Sequence, residues 1–234
     1  MKNIILLSIL FICLSSSDLD SITNLVRSSD LFEKSHVKIE KKSDASFLIY
    51  STKNTQKKNL IVYSDSNFER LQFTELEKVL LFCHEIGHFR GGAPFKNRGR
   101  SQKLSWSSAE GQADYYSTAI CLKDFAVKEL SFKEVDNSEI SSQIYKLCPD
   151  FECIKVMNSI YNIIKAYQSF TNSRDLLVFE NSEHSTPMST ILEYPSNQCR
   201  LNTLKNGYFC EKLDVETNNC INYEFSKPSC WFVK

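Results

Sequence analysis

Apolar residues recur along this chain in two rhythms, one helical and one extended. Leu76, Val79, Leu80 and Cys83 follow one another at three- and four-residue intervals, which predicts a helix over Thr74–Gly92 with a buried stripe. Cys153, Met157, Ile160, Tyr161, Ile164 and Tyr167 repeat the rhythm and predict a helix over Glu152–Phe170, a stripe we assign to the core rather than to a cofactor-binding face. An amphipathic patch from Ile22 to Phe32 makes the otherwise polar stretch Asp18–Lys42 a helix leading into the domain. Two short runs rich in β-branched and aromatic residues, Ser46–Ser51 (SFLIYS) and Leu60–Asp65 (LIVYSD), predict strands separated by a polar turn. A short helix is expected within Leu130–Pro149, and another over Tyr194–Asn206 with Pro195 near its start and Gly207 closing it. Phe95–Ser105 and Thr171–Leu192 are expected to be loops. The pattern is that of an α+β protein, mostly helical, with a small N-terminal sheet.

Helix ends carry their own signals. Thr74 with Glu77 three residues on forms a capping box, and Gly91, Gly92 and Pro94 supply a glycine cap and a stop. A second helix is expected over Trp106–Phe125, with Ser107 as its cap. Trp106 is expected either to pack as a hinge or to line the site.

The first residues, Met1–Ser17, join a lysine, an apolar run and small serines, the layout of a secretory signal peptide cleaved near Ser17. That run is shorter than the roughly 20 residues a membrane-spanning helix needs. Cys13 is a minority candidate for lipid anchoring, although Ile12 before it is not the small residue such sites carry. Cleavage leaves one domain, residues 18–234, long enough for a substantial core. It keeps eight of the nine cysteines, an even number that predicts up to four disulfides stapling chiefly the C-terminal region of a periplasmic or secreted protein. The aromatic end, with Trp231 and Phe232, should be pinned by disulfides and burial. Lys and Arg together number 28, as do Asp and Glu, and without a basic run nothing favours a nucleic-acid partner. No later apolar run is long enough to span a membrane.

The chemistry concentrates in HEIGH, residues 84–88, an HExxH pattern. One helical turn apart, His84 and His88 project from one face and can share a metal ion, zinc first among them, with Glu85 beside them as general base. Only four histidines occur in the chain, so the pairing is unlike chance. Gly91 fits an HExxHxxGxxH pattern, but Pro94 occupies the position of its third histidine. The remaining candidate for third ligand is Glu110, with Asp114 one turn later to hold the outer nitrogen of a liganding histidine. With Ser107, Glu110 equally completes a capping box that needs no metal. Cys83 points about 100° away from His84 and is a core thiol or disulfide partner rather than a ligand.

HEIGH, GGAP and SSAEGQADYYST together resemble the gluzincin metallopeptidases, whose pattern is HExxH followed by a helix carrying ExxxD, and within them the small soluble relatives of the CAAX-processing and stress-response proteases. The resemblance implies a zincin-like fold, one Zn2+ held by His84, His88 and Glu110, Glu85 as base, Asp114 behind a histidine, and a peptide or protein substrate. It also implies a sheet bordering the cleft, whose edge strand, expected near Tyr63 and Ser64, pairs with an extended peptide. The HPxxxxR motif of that branch is matched by YPSNQCR, so Tyr194 stands where the family has histidine, while Arg200 is in register. Tyr194 and Arg200 are candidates for stabilising an oxyanion; equally, Pro195 starts a helix and Arg200 makes a structural salt bridge. His184, in the loop before it, is a candidate substitute for the missing histidine. The alternative function is a catalytically weak or inactive zinc-stabilised binding protein on the same fold, or, without zinc, a disulfide-stapled interaction module.

Overall fold

The computed structural model describes residues 16–43, 46–96, 104–180, 186–214 and 217–233. Most of the expected leader, Cys13, His184 and the stretch 97–103 lie outside the described residues. In chain order the elements are α1 (Ser16–Arg27), α2 (Asp30–Ser35), β1 (Lys38–Lys42), β2 (Ile49–Lys53), β3 (Asn59–Ser64), α3 (Asp65–Leu71), α4 (Glu75–Arg90), α5 (Glu110–Ala119), α6 (Ser138–Leu147), α7 (Phe151–Thr171) and α8 (Asn197–Phe209). This is an α+β arrangement of eight α-helices and one three-stranded sheet among the described residues.

α4 is the centre. Every residue from Leu76 to His88 is buried, because α1, α2, α5, α7, β2 and β3 all pack on it. The expected stripe is therefore only one side of a helix wrapped all round. Its start is the expected capping box: the Thr74 amide donates to Glu77 Oε2 at 2.7 Å and the Glu77 amide to Thr74 Oγ1 at 3.4 Å. At its end, Gly91 N–H donates to Gly87 O, and Gly92 takes φ +79°, where glycine is favoured.

The N-terminal segment departs from the single helix expected over Asp18–Lys42. Ser29 breaks it and caps α2 by accepting from the Phe32 amide, and His36 ends α2 in the left-handed region. Val37 and Ile39 are buried between outward charged neighbours, a period-two alternation too short to stand out in a charged run. Residues 38–42 thus become β1, parallel to β3, while β2 pairs antiparallel with β3. The order β1-β3-β2 makes β3 central, so Tyr63 and Ser64 are buried and lie at no edge; the edge beside α4 is β2.

The second site helix starts at Glu110, not Trp106. Residues before it are drawn into a clasp: Phe95 and Ser108 form a β-bridge, Lys96 N–H donates to Ser107 O at 2.6 Å and Ala109 N–H to Pro94 O at 2.8 Å. Ser107 consequently caps nothing, and its hydroxyl donates to Ser108 O. α5 stops at Ala119 and tightens into a 3-10 turn, Cys121–Asp124, instead of running to Phe125. α8 opens with Ser196 as cap, so Pro195 precedes the helix, and Gly207 lies inside it rather than closing it, at a point where a Cβ would meet Tyr115 O at 2.7 Å.

Four disulfides tie these parts together: Cys83–Cys121, Cys148–Cys153, Cys199–Cys230 and Cys210–Cys220. The first joins α4 to the turn after α5, which settles Cys83 as a disulfide partner. Cys199–Cys230 ties the C-terminal tail to α8, and the fully buried Trp231, packed on Gly111, holds it against α5. No helix among the described residues is long and apolar enough to cross a membrane, and the disulfides are consistent with an extracellular or periplasmic setting.

Candidate metal centre

α4 and α5 cross closely because Gly87, inside HEIGH, has no Cβ: one placed there would stand 2.8 Å from Ala113 O and 2.9 Å from Ala113 Cα. That contact sets the two histidines of α4 against the two carboxylates of α5. Glu110 Oε2 lies 3.2 Å from His84 Nε2 and 3.6 Å from His88 Nε2, and the two imidazole rings stand edge to face with centroids 4.8 Å apart.

The outer nitrogens face acceptors. His88 Nδ1 lies 2.8 Å from the Ser108 carbonyl oxygen, to which it donates, leaving the lone pair on Nε2. His84 Nδ1 is 2.8 Å from Asp114 Oδ1, a close charge contact rather than an aligned hydrogen bond. Asp114 in turn accepts from Arg200 through both oxygens, at 2.7 Å from Nε and 2.8 Å from Nη2. The guanidinium lies over the Tyr167 ring at 4.5 Å and near the Tyr194 ring at 5.7 Å. Lys96 Nζ bonds Oε1 of Glu110 and faces the Tyr194 ring at 5.8 Å. Glu85 is buried, and Ser51 of β2 is near enough to favour its charged form.

Burial and charge act against each other throughout. Burial opposes a charge on His84, but Asp114, Glu110 and Glu85 outweigh it and lift its pKa to about 10. Burial dominates at His88, helped by His84 and Lys96, and brings it down to about 3 despite Glu110. Glu85 is raised by burial and by Glu110, with His84, Ser51 and Lys96 opposing. At Glu110 and Asp114 burial is overcome, by the histidines and Lys96 in the first case and by Arg200 and His84 in the second, so both lie below the ordinary carboxylate range.

The arrangement fits a metal ion. Oε2 of Glu110 is buried with no aligned hydrogen-bond donor, while two imidazole nitrogens close on it. Ligand atoms at about 2.0–2.2 Å from a tetrahedral metal stand about 3.3–3.6 Å from one another, close to the separations observed. A proton on His84 Nε2 is one cation that answers this surplus of acceptors, and a metal is the other. Donor atoms of His84, Glu85 and His88 also lie within 4.8 Å of one another, a buried group able to hold a metal ion.

The fold thus brings His84, Glu85, His88, Glu110, Asp114, Arg200 and Tyr194 into one neighbourhood. Three contributors, Tyr167, Ser51 and Ser108, escaped the sequence reading, and a fourth, Lys96, was foreseen only as one of the loop cations of Phe95–Ser105 that could border the cleft, with a solvated loop face the favoured reading. Tyr167, counted with the core stripe of α7, turns its ring to Arg200, and only its hydroxyl in an apolar stripe hinted at this. Ser51, Lys96 and Ser108 arrive through β2 and the clasp, for which no local pattern exists. Trp106 stacks on Phe89 at 5.2 Å beneath Lys53 Nζ. Beside Arg200 opens a cleft of about 560 Å³ with Phe47, Tyr50, Tyr167, Phe170 and Tyr194 among its walls.

Comparison with protein-family models, with curated proteins and with solved structures found no match.

Proposed function

We propose that the protein is an exported zinc-dependent peptidase of gluzincin type, built on a zincin-like fold. The observation that carries the reading is the buried Oε2 of Glu110, with no aligned hydrogen-bond donor, facing the Nε2 atoms of both His84 and His88. In this reading those three residues hold the ion. A zinc ion bound there would polarise a scissile carbonyl and lower the pKa of a water toward about 7.

The protein's own groups do the rest. Glu85, buried and raised above the ordinary carboxylate range, accepts a proton from that water and returns it to the leaving amine nitrogen. Asp114 orients His84, and Arg200 holds Asp114 with both oxygens engaged. The guanidinium is thereby committed to Asp114, which leaves the Tyr194 hydroxyl as the better candidate donor to the developing oxyanion. The outer edge of β2 has no strand partner among the described residues, and Ser51 on it touches Glu85. An extended peptide paired there would run past the base, and the aromatic cleft beside Arg200 would take an apolar side chain.

A second reading is a zinc-stabilised binding protein with little turnover, favoured by tyrosine at position 194 where the resembled proteases have histidine. Elemental analysis of purified protein beside Glu110→Ala, with hydrolysis of a peptide library with and without chelator, tests both. About one zinc per chain, lost in the variant, with chelator-sensitive cleavage abolished by Glu85→Gln, is the expected result. Zinc without cleavage leaves the binding protein. No zinc after purification with zinc supplied overturns both.

A further inference from the structure

Lys96 is 8% exposed and lies among the site's charged groups, although it comes from a connecting segment rather than from either metal-motif helix. A buried ammonium is costly unless an anion and hydrogen bonds answer it. Its partner is Oε1 of Glu110, the oxygen turned away from the histidines. Its backbone is anchored by the clasp onto residues 107–109, immediately before Glu110 opens α5. Ammonium and carboxylate are therefore positioned by the same short pairing, and Tyr194 faces the ammonium.

We propose that Lys96 is a positioning residue of the metal centre: it holds one oxygen of Glu110 so that the other alone faces His84 and His88. The inference rests on the metal reading above. Without the lysine, Glu110 is free to rotate about its last bond and offer either oxygen or both, and the single lone pair aimed at the histidine pair is lost. A cation so near a metal site also repels the metal. Here three carboxylates, Glu85, Glu110 and Asp114, stand against two fixed cations, Lys96 and Arg200, and the third cation, the proton on His84, leaves when a metal takes that nitrogen, so the pocket then offers a net negative charge to a dication. Positioning is then the larger effect, and it sets the sign of the test.

Zinc affinity is measured by competition with a chromogenic chelator on the full protein, for wild type, Lys96→Met, Lys96→Gln and Lys96→Arg, each checked for folding by its thermal melt. The expected result is a 10- to 100-fold loss in Lys96→Met, the range for removing a hydrogen-bond partner of a metal ligand. A smaller loss is expected in Lys96→Gln, which keeps a donor, and near-recovery in Lys96→Arg. With cobalt(II) in place of zinc, Lys96→Met should show the weaker visible absorption of a higher coordination number as Glu110 becomes bidentate, a change a purely structural lysine would not produce. Affinity equal to or tighter than wild type in folded Lys96→Met, or in Lys96→Gln if the first does not fold, overturns the proposal and makes Lys96 a competitor of the metal for Glu110. A wild-type protein that takes no zinc removes the metal reading itself, an outcome distinct from a variant that binds as well as wild type.

Discussion

Replacing Gly87 by alanine tests whether the close crossing of α4 and α5 builds the site. Inside a helix, alanine is favoured over glycine by about 1 kcal/mol, so without neighbours the change would stabilise the protein. The added Cβ would instead meet Ala113 O at 2.8 Å and Ala113 Cα at 2.9 Å, backbone atoms that no rotamer change can move aside. Ordinary separations of about 3.5–4.0 Å require the helices to part by about 0.6–1.2 Å. Overpacking of this kind costs up to about 3 kcal/mol, which leaves a net loss of about 2 kcal/mol and a Tm lower by about 4–8 °C for a domain of this size. Parting the helices also draws Asp114 away from His84, now 2.8 Å apart, and Glu110 away from both histidines. Calorimetry together with zinc competition reads both effects, and Ile86→Val is the control. It removes one buried methyl group, at about 1 kcal/mol, without moving the helices apart, and should keep zinc affinity. A Gly87→Ala protein with a raised Tm and unchanged zinc affinity would refute the reasoning.

Lys227 is buried, and burial lowers its pKa from 10.5 to about 8. The folded state thus binds fewer protons than the unfolded one between those values, so this residue makes stability rise as pH climbs from about 8 to 10.5, by about 3 kcal/mol in all. Lys227→Met should stabilise the protein at pH 6–7 by about 1–2 kcal/mol, since Thr217 O loses its donor, and the gain should vanish near pH 10.5; denaturant titrations at both pH values check it. Replacing Cys199 and Cys230 by alanine opens a bridge of sequence separation 31 and should cost about 3–4 kcal/mol. Trp231, fully buried in the native fold, reports the tail's release by a red shift of its fluorescence, and an unshifted spectrum with unchanged stability would show that packing alone holds the tail.

Residues that meet through one helical repeat were legible from the chain alone. The capping box at Thr74 and Glu77, the shared face of His84 and His88, and the stripe of α7 follow from a period of 3.6. Glu110 and Asp114 were legible as a pair one turn apart, and the ExxxD resemblance set them beside the histidines, but the chain alone also let Ser107 give Glu110 a local capping role. The β-bridge between Phe95 and Ser108 removed that alternative by drawing Ser107 and Ser108 into an extended clasp. Lys38–Lys42 were read as helix because charged residues mask a two-residue period over so short a run, and their strand exists only because β3 offers an edge to pair with. Tyr63 and Ser64 were placed at an edge for want of that third strand.

By itself the sequence determined the secondary-structure class, the candidate metal-ligating residue types and their spacing within each helix, because these depend on local periodicity and on side-chain chemistry. Only the tertiary structure decided which cysteines pair, which strand lies beside Glu85, that Arg200 answers Asp114 and that Lys96 answers Glu110. Those contacts join segments far apart in the chain. They arise from how closely helices approach at Gly87 and Gly207 and from which backbone groups are left to pair, quantities that no local pattern encodes.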